Sequence, residues 1–141
     1  MAQDDKQTLD RQTLLEGIPS LNLGALLMPP IWGPAHGIWI TILYYPVLLF
    51  ADNLIYSAYE NPQPLSIVLS IVTIAILVGV TVVFARASQG YAYQRSLERG
   101  MTKEAYLKRQ RIWAIVSAII LVVMVCAATY YNLCIRPTLG A

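Results

Sequence analysis

Apolar positions along this chain fall in long runs rather than in an alternating rhythm. Residues 65–85 (LSIVLSIVTIAILVGVTVVFA) form a run of 21 without a formal charge, and 112–135 a run of 24. About 20 apolar residues cross a hydrocarbon core of ~30 Å, so both runs predict membrane-spanning helices. Their β-branched content does not argue for strands, because a segment in lipid must close its backbone hydrogen bonds internally. A third uncharged region, 17–51, is 35 residues long and holds Pro19, Pro29, Pro30, Pro34 and Pro46. One unbroken helix of that length would be ~52 Å long, too long for one crossing, and two crossings would be cramped. Pro29-Pro30 and Gly33-Pro34 mark a break in the middle. The pattern therefore predicts a short half-helix over 21–28, interfacial or re-entrant. A spanning helix over 35–56 follows, kinked near Pro46, with further spans over 65–85 and 112–135.

Composition supports the membrane reading. Of 141 residues, 57% are apolar and 13% charged, against under half and about a quarter in soluble domains. A water-soluble globule of this size could not hide so much apolar surface, and disordered chains are far more polar. The expected fold class is all-α and integral to the membrane, with three transmembrane helices behind the proline-terminated half-helix.

Charge decides the layout. The tail 1–16 is polar and carries Lys6 and Arg11 against Asp4, Asp5, Asp10 and Glu16. Residues 52–64 carry Asp52 and Glu60. Residues 86–111 hold Arg86, Arg95, Arg99, Lys103, Lys108, Arg109 and Arg111 against Glu98 and Glu104, a net +5. Three spans put the N-terminus and this basic segment on one side and the acidic loop on the other, as the positive-inside rule requires. The expectation is an inner-membrane, multi-pass protein with a cytoplasmic N-terminus and an extracytoplasmic C-terminus. The acidic N-terminus lacks the pattern of a cleavable signal peptide.

The basic segment reads as a helical hairpin. Gly100 fits a helix C-terminal cap, and Thr102 the next N-cap, with Glu104 in the first turn. Glu104 and Lys108 form an i,i+4 pair. The hairpin would project up to ~20 Å beyond the membrane, with Tyr91, Leu97, Tyr106 and Leu107 as its seam. Tyr56, Tyr59, Trp113, Tyr130 and Tyr131 suit interfacial aromatic belts.

The most unusual segment is 21–39, LNLGALLMPPIWGPAHGIW. It brings together Asn22, Pro29, Pro30, Trp32, Gly33, His36 and Trp39. His36 is the best single candidate for a haem, a pigment or a proton role. One histidine completes neither a bis-histidine haem nor a zinc site within one chain, so an interfacial, structural histidine is the stronger reading. No cofactor or metal is expected otherwise. Cys126 and Cys134 lie ~12 Å apart along a helix, too far to pair, and read as small apolar residues. Ser66, Ser70, Thr73, Thr81 and Ser117 are expected to return hydrogen bonds to their own helices. The spans carry no charge away from their ends, and no phosphate loop, nucleophile elbow or zinc motif is present. Enzymatic activity is not expected, and no basic face suggests nucleic acid.

Asn22-x-Gly24-Ala25, followed by Pro29-Pro30-Ile31-Trp32-Gly33 and His36-Gly37, resembles the opening segment of small prokaryotic membrane proteins of unknown function. Those carry a pattern close to N-W-G-A-F-x-x-x-P-x-W before a spanning helix. The resemblance covers about twenty residues, with Leu23 where that pattern has Trp and Leu26 where it has Phe. It implies a prokaryotic inner-membrane protein and no particular activity. Residues 98–108, ERGMTKEAYLK, are similar to helix–Gly–Thr–helix modules of bacterial membrane proteins.

The function expected is that of a small accessory or assembly subunit of a larger membrane complex. Its partners would be other membrane subunits and anionic lipids. They would be engaged through Asn22, Pro29, Pro30, Trp32, Gly33 and Trp39, and through the basic residues Arg86, Arg95, Arg99, Lys103, Lys108, Arg109 and Arg111. Each basic residue near an anionic surface contributes ~1 kcal/mol. A homo-oligomeric channel or transporter and a haem or pigment subunit using His36 are the alternatives.

Overall fold

The computed structural model describes residue 13 and residues 15–139. Every regular element among the described residues is a helix, with no strand among them. Two short helices, α1 (Leu23–Leu27) and α2 (Pro29–Ala35), precede a 3-10 segment (Trp39–Leu43) that runs into α3 (Tyr44–Glu60). Two long helices follow, α4 (Pro64–Glu98) and α5 (Lys103–Tyr130). A wider π turn (Tyr131–Ile135) and a last short helix, α6 (Arg136–Leu139), end the described chain. Three stretches are long and apolar enough to cross a membrane: Trp39–Glu60, Pro64–Glu98 and Lys103–Leu139.

The proline-rich region departs from the expected boundaries. Pro29 and Pro30 do not end a helix. They occupy the first two positions of α2, where the missing N–H would have no intrahelical partner. The chain breaks before them, at Met28, and again at Gly37, whose φ is +83°. The first span therefore starts at Trp39 rather than at residue 35 and runs on to Glu60 rather than stopping at 56. Pro46 sits in the first turn of α3, where it costs the helix little. Residues 52–60 belong to α3, so the acidic stretch is mostly helix. Asp52 lies inside the first span, about two turns from its end, where Asn132 Nδ2 donates to its Oδ1 at 2.8 Å.

The long helices run past their apolar sections. α4 is one continuous helix of 35 residues, ~52 Å long, so its last third extends beyond the uncharged run. Pro64 opens it and Gly100, with φ +74°, closes it. Thr102 Oγ1 accepts from Ala105 N at 3.3 Å and starts α5.

The core sits at one end of the molecule. Ala25, Trp32, Ala85, Ala92, Tyr93 and Tyr106 form it, with Leu21, Leu26, Ile38, Phe84 and Trp113 packed around them. The short helices thus dock on the inner faces of α4 and α5, mainly where both have left their uncharged runs. The seam between the two arms is Tyr93 against Tyr106, ring centroids 5.0 Å apart. Tyr91 and Leu97, expected in that seam, are exposed instead. At the opposite end, Arg136 ties the end of the third span to α3. Its Nη2 donates to Asn53 Oδ1 at 2.8 Å, and its guanidinium lies 3.8 Å from the Tyr56 ring centre.

Between these two ties the spans pack loosely. Only 6% of the most apolar stretch of α4, and likewise of α5, is buried within the protein. Ser70 Oγ donates to Ser66 O and lies 3.0 Å from Leu54 O on α3. Ser117 departs from the expected pattern: its buried Oγ has no hydrogen-bond partner.

Candidate functional site

Asn22 organises the junction between the short helices and the long ones. Its backbone N–H donates to Ala85 O at 3.2 Å. Its side-chain Oδ1 accepts from Ala25 N at 3.0 Å and caps α1. Its Nδ2 donates to Gln89 Oε1 on α4 at 2.6 Å and to Gln110 Oε1 on α5 at 2.9 Å. One buried carboxamide therefore joins three helices with every polar atom used, as a buried polar group requires.

Trp32 and His36 continue the network. Trp32 is fully buried, and its Nε1 donates to Gln110 Oε1 at 3.3 Å. Gly24 makes room for it, since a Cβ there would meet Trp32 Cδ1 at 2.6 Å. Gly33 likewise admits Thr41, whose hydroxyl donates to Ile38 O at 2.8 Å. The His36 ring stacks on Trp32 with centroids 4.0 Å apart and meets Trp113 edge-on at 5.3 Å. Its Nδ1 lies 2.8 Å from Trp32 O, a carbonyl, so Nδ1 carries the proton and donates. Nε2 is then the bare nitrogen and accepts from Gln110 Nε2 at 3.3 Å.

The electrostatics agree with that tautomer. His36 precedes the first span. Burial pulls its pKa from 6.5 down to about 4; the Trp32 carbonyl opposes this, and the nearby Arg109 and Arg99 add to it. The imidazole is neutral at physiological pH. Both ring nitrogens are occupied, so a metal approaching Nε2 would have to displace Gln110. Among the described residues, no group of three metal-ligating side chains forms.

Two clefts flank the network. A basic one, on the His36 side, is lined by Arg95, Arg99 and Arg109 together with Ser96, Tyr106 and Gln110. A larger, mostly apolar one lies between Leu21, Leu23, Leu107 and Ala114, with Asn22, Gln89 and Gln110 at its base and Arg111 at its side.

The structure thus gathers Asn22, Trp32, Gly33 and His36 into one cluster, with Pro29 and Pro30 buried beside them. Trp39 is 67% exposed and stands apart. Of the basic residues, Arg95, Arg99 and Arg109 converge. Lys103 Nζ donates to Glu16 O at 2.5 Å, and Arg86 and Lys108 are exposed outside the clefts. Sequence reasoning missed Gln89, Gln110 and the role of Tyr106, whose hydroxyl lies 3.4 Å from both Gln89 oxygens. A signal was present: Ala85, Ser88, Gln89, Ala92 and Ser96 recur at helical spacing and form the buried face of α4.

No family model, curated protein or solved structure matches this chain.

Proposed function

We propose that this chain is a small accessory subunit that assembles with and stabilises a larger complex in a prokaryotic inner membrane. The observation that carries this reading is the loose packing of the spans. α4 and α5 share few contacts with each other. The short helices stand between their arms at one end, and the Arg136 tie joins the third span to α3 at the other. Their exposed faces carry rows of Ile, Val and Leu. In lipid, close packing and hydrogen bonding drive helix association, because the tails are as apolar as the side chains. Loosely packed spans are therefore free to receive helices of other subunits.

The contacts of the short helices support an orientation as well. The segment before the first span lies against the basic hairpin arms, so both sit on one side of the membrane. The positive-inside rule favours the cytoplasm for that side. The hairpin's outward cations, Arg86 and Lys108 among them, then offer a docking face to a partner or to anionic lipid headgroups.

The test is native mass spectrometry of the tagged protein after gentle extraction from its own membrane. Foreign membrane subunits in fixed stoichiometry are expected. A pure homo-oligomer, or a monomer carrying lipid alone, would overturn the reading. Charge reversal of Arg86 and Lys108 should release a partner held on that face, whereas unchanged co-purification would exclude the face.

A further inference from the structure

The basic cleft has properties that the accessory role does not use. Arg95 and Arg99 lie about one turn apart on α4, and Arg109 joins them from α5. Together they border a small hollow that is open to the surface. Among the described residues, no carboxylate lines it. The hydrogen bond from Arg95 Nη1 goes to a neutral oxygen, Tyr91 Oη, at 3.0 Å. Among the described residues, three arginines therefore line one hollow with no acidic side chain beside them, a concentration of positive charge that attracts anions.

The backbone is shaped to permit this. A Cβ at Gly37 would run into the Arg95 guanidinium. Gly37, in its left-handed conformation, thus lets Arg95 lie against the turn that ends α2. Neutral His36 closes the inner wall without adding a fourth charge. Planar guanidinium forks suit tetrahedral oxyanions, which they bind through paired, charge-assisted hydrogen bonds. Arg109 stands about one turn from Ile112, where the apolar run of α5 begins, and Arg95 and Arg99 lie beyond the apolar run of α4. The hollow therefore opens on the headgroup side of the membrane.

We propose that Arg95, Arg99 and Arg109 form a binding site for a phosphoryl group, presented by a phospholipid headgroup or by a free phosphate. The site goes beyond the accessory-subunit reading and stands or falls separately from it, since it requires no partner protein.

The experiment uses the full chain in dodecyl maltoside micelles at constant ionic strength. Inorganic phosphate and phosphatidylglycerol are titrated separately, with chloride as the control. Melting temperature and fluorescence from Trp32 and Trp113, which flank His36, are the readouts. A saturable response to inorganic phosphate identifies a free phosphate as sufficient; a response to phosphatidylglycerol alone identifies the lipid headgroup; either supports the site. Arg99→Gln is expected to weaken the response about tenfold, as the loss of one charge-assisted bond implies. Arg99 is exposed, so this variant should melt like the parent protein without ligand. The triple variant R95Q/R99Q/R109Q should show no response. R86Q/K108Q, outside the hollow, should respond within about twofold of the parent, because diffuse surface charge is screened by salt. Absence of a saturable response to both probes overturns the site. So does an equal loss in R86Q/K108Q, which would reduce the effect to overall positive charge.

Discussion

Asn22 ties three helices together, because one carboxamide caps α1 and bonds to both long helices. Asn22→Ala removes the cap and leaves each of two glutamine oxygens with only its longer hydrogen bond, from Trp32 or Tyr106. A loss of about 2–4 kcal/mol is expected from those terms, read as a lower melting temperature in detergent. If the variant melts like the parent, the network is not a structural tie. His36 gives a second prediction at this scale. Its folded pKa, about 4, lies below the ordinary 6.5, so the unfolded or opened state binds the proton more readily. The stabilising contribution of the neutral ring is full above about pH 6.5 and declines as pH falls toward about 4. Melting temperature measured from pH 8 down to pH 4.5 should show that decline, and His36→Gln should flatten it. Were the slope the same in both proteins, the acid sensitivity would belong to other groups.

At the scale of elements, the turn at Gly37 separates α2 from the first span, and its positive φ disfavours any side chain. Gly37→Ala should cost about 1–2 kcal/mol from backbone strain, with more from the collision with Arg95. The double variant G37A/R95A should recover the collision part and leave the strain. No recovery would mean that Arg95 does not pack there. Elements also differ in how readable they are. The three spans were legible because lipid sets a minimum apolar length, a property of sequence alone. Gly100 and Thr102 are local signals that need no packing to be read. The first span's start was misplaced because prolines at a helix N-terminus and prolines at a break look alike in sequence. Which applies depends on where Met28 and Gly37 turn. Gln89 and Gln110 escaped notice because an amide inside a basic stretch reads as solvated. Its meaning comes from distant partners such as Asn22, which is 67 residues from Gln89 and 88 from Gln110.

For the whole molecule, the docking of the N-terminal segment on the hairpin predicts which parts share a side of the membrane. In a background lacking Cys126 and Cys134, single cysteines at Gln63 and Thr138 should react with an impermeant maleimide on intact cells. One at Lys108 should react only after permeabilisation. The reverse pattern would invert the orientation, and labelling of all three from outside would refute three spans.

The tie through Asn22 also imposes an order in time. Its partner on α5 emerges from the ribosome 88 residues after it. At typical synthesis rates that is a delay of roughly 4–18 s. During that interval the carboxamide lacks its α5 partner, and the first two spans can already be inserted. The junction therefore cannot close until α5 is being made, and the Arg136 tie to α3 follows it. A factor that holds the N-terminal segment during this wait would control how much of the newly made chain matures.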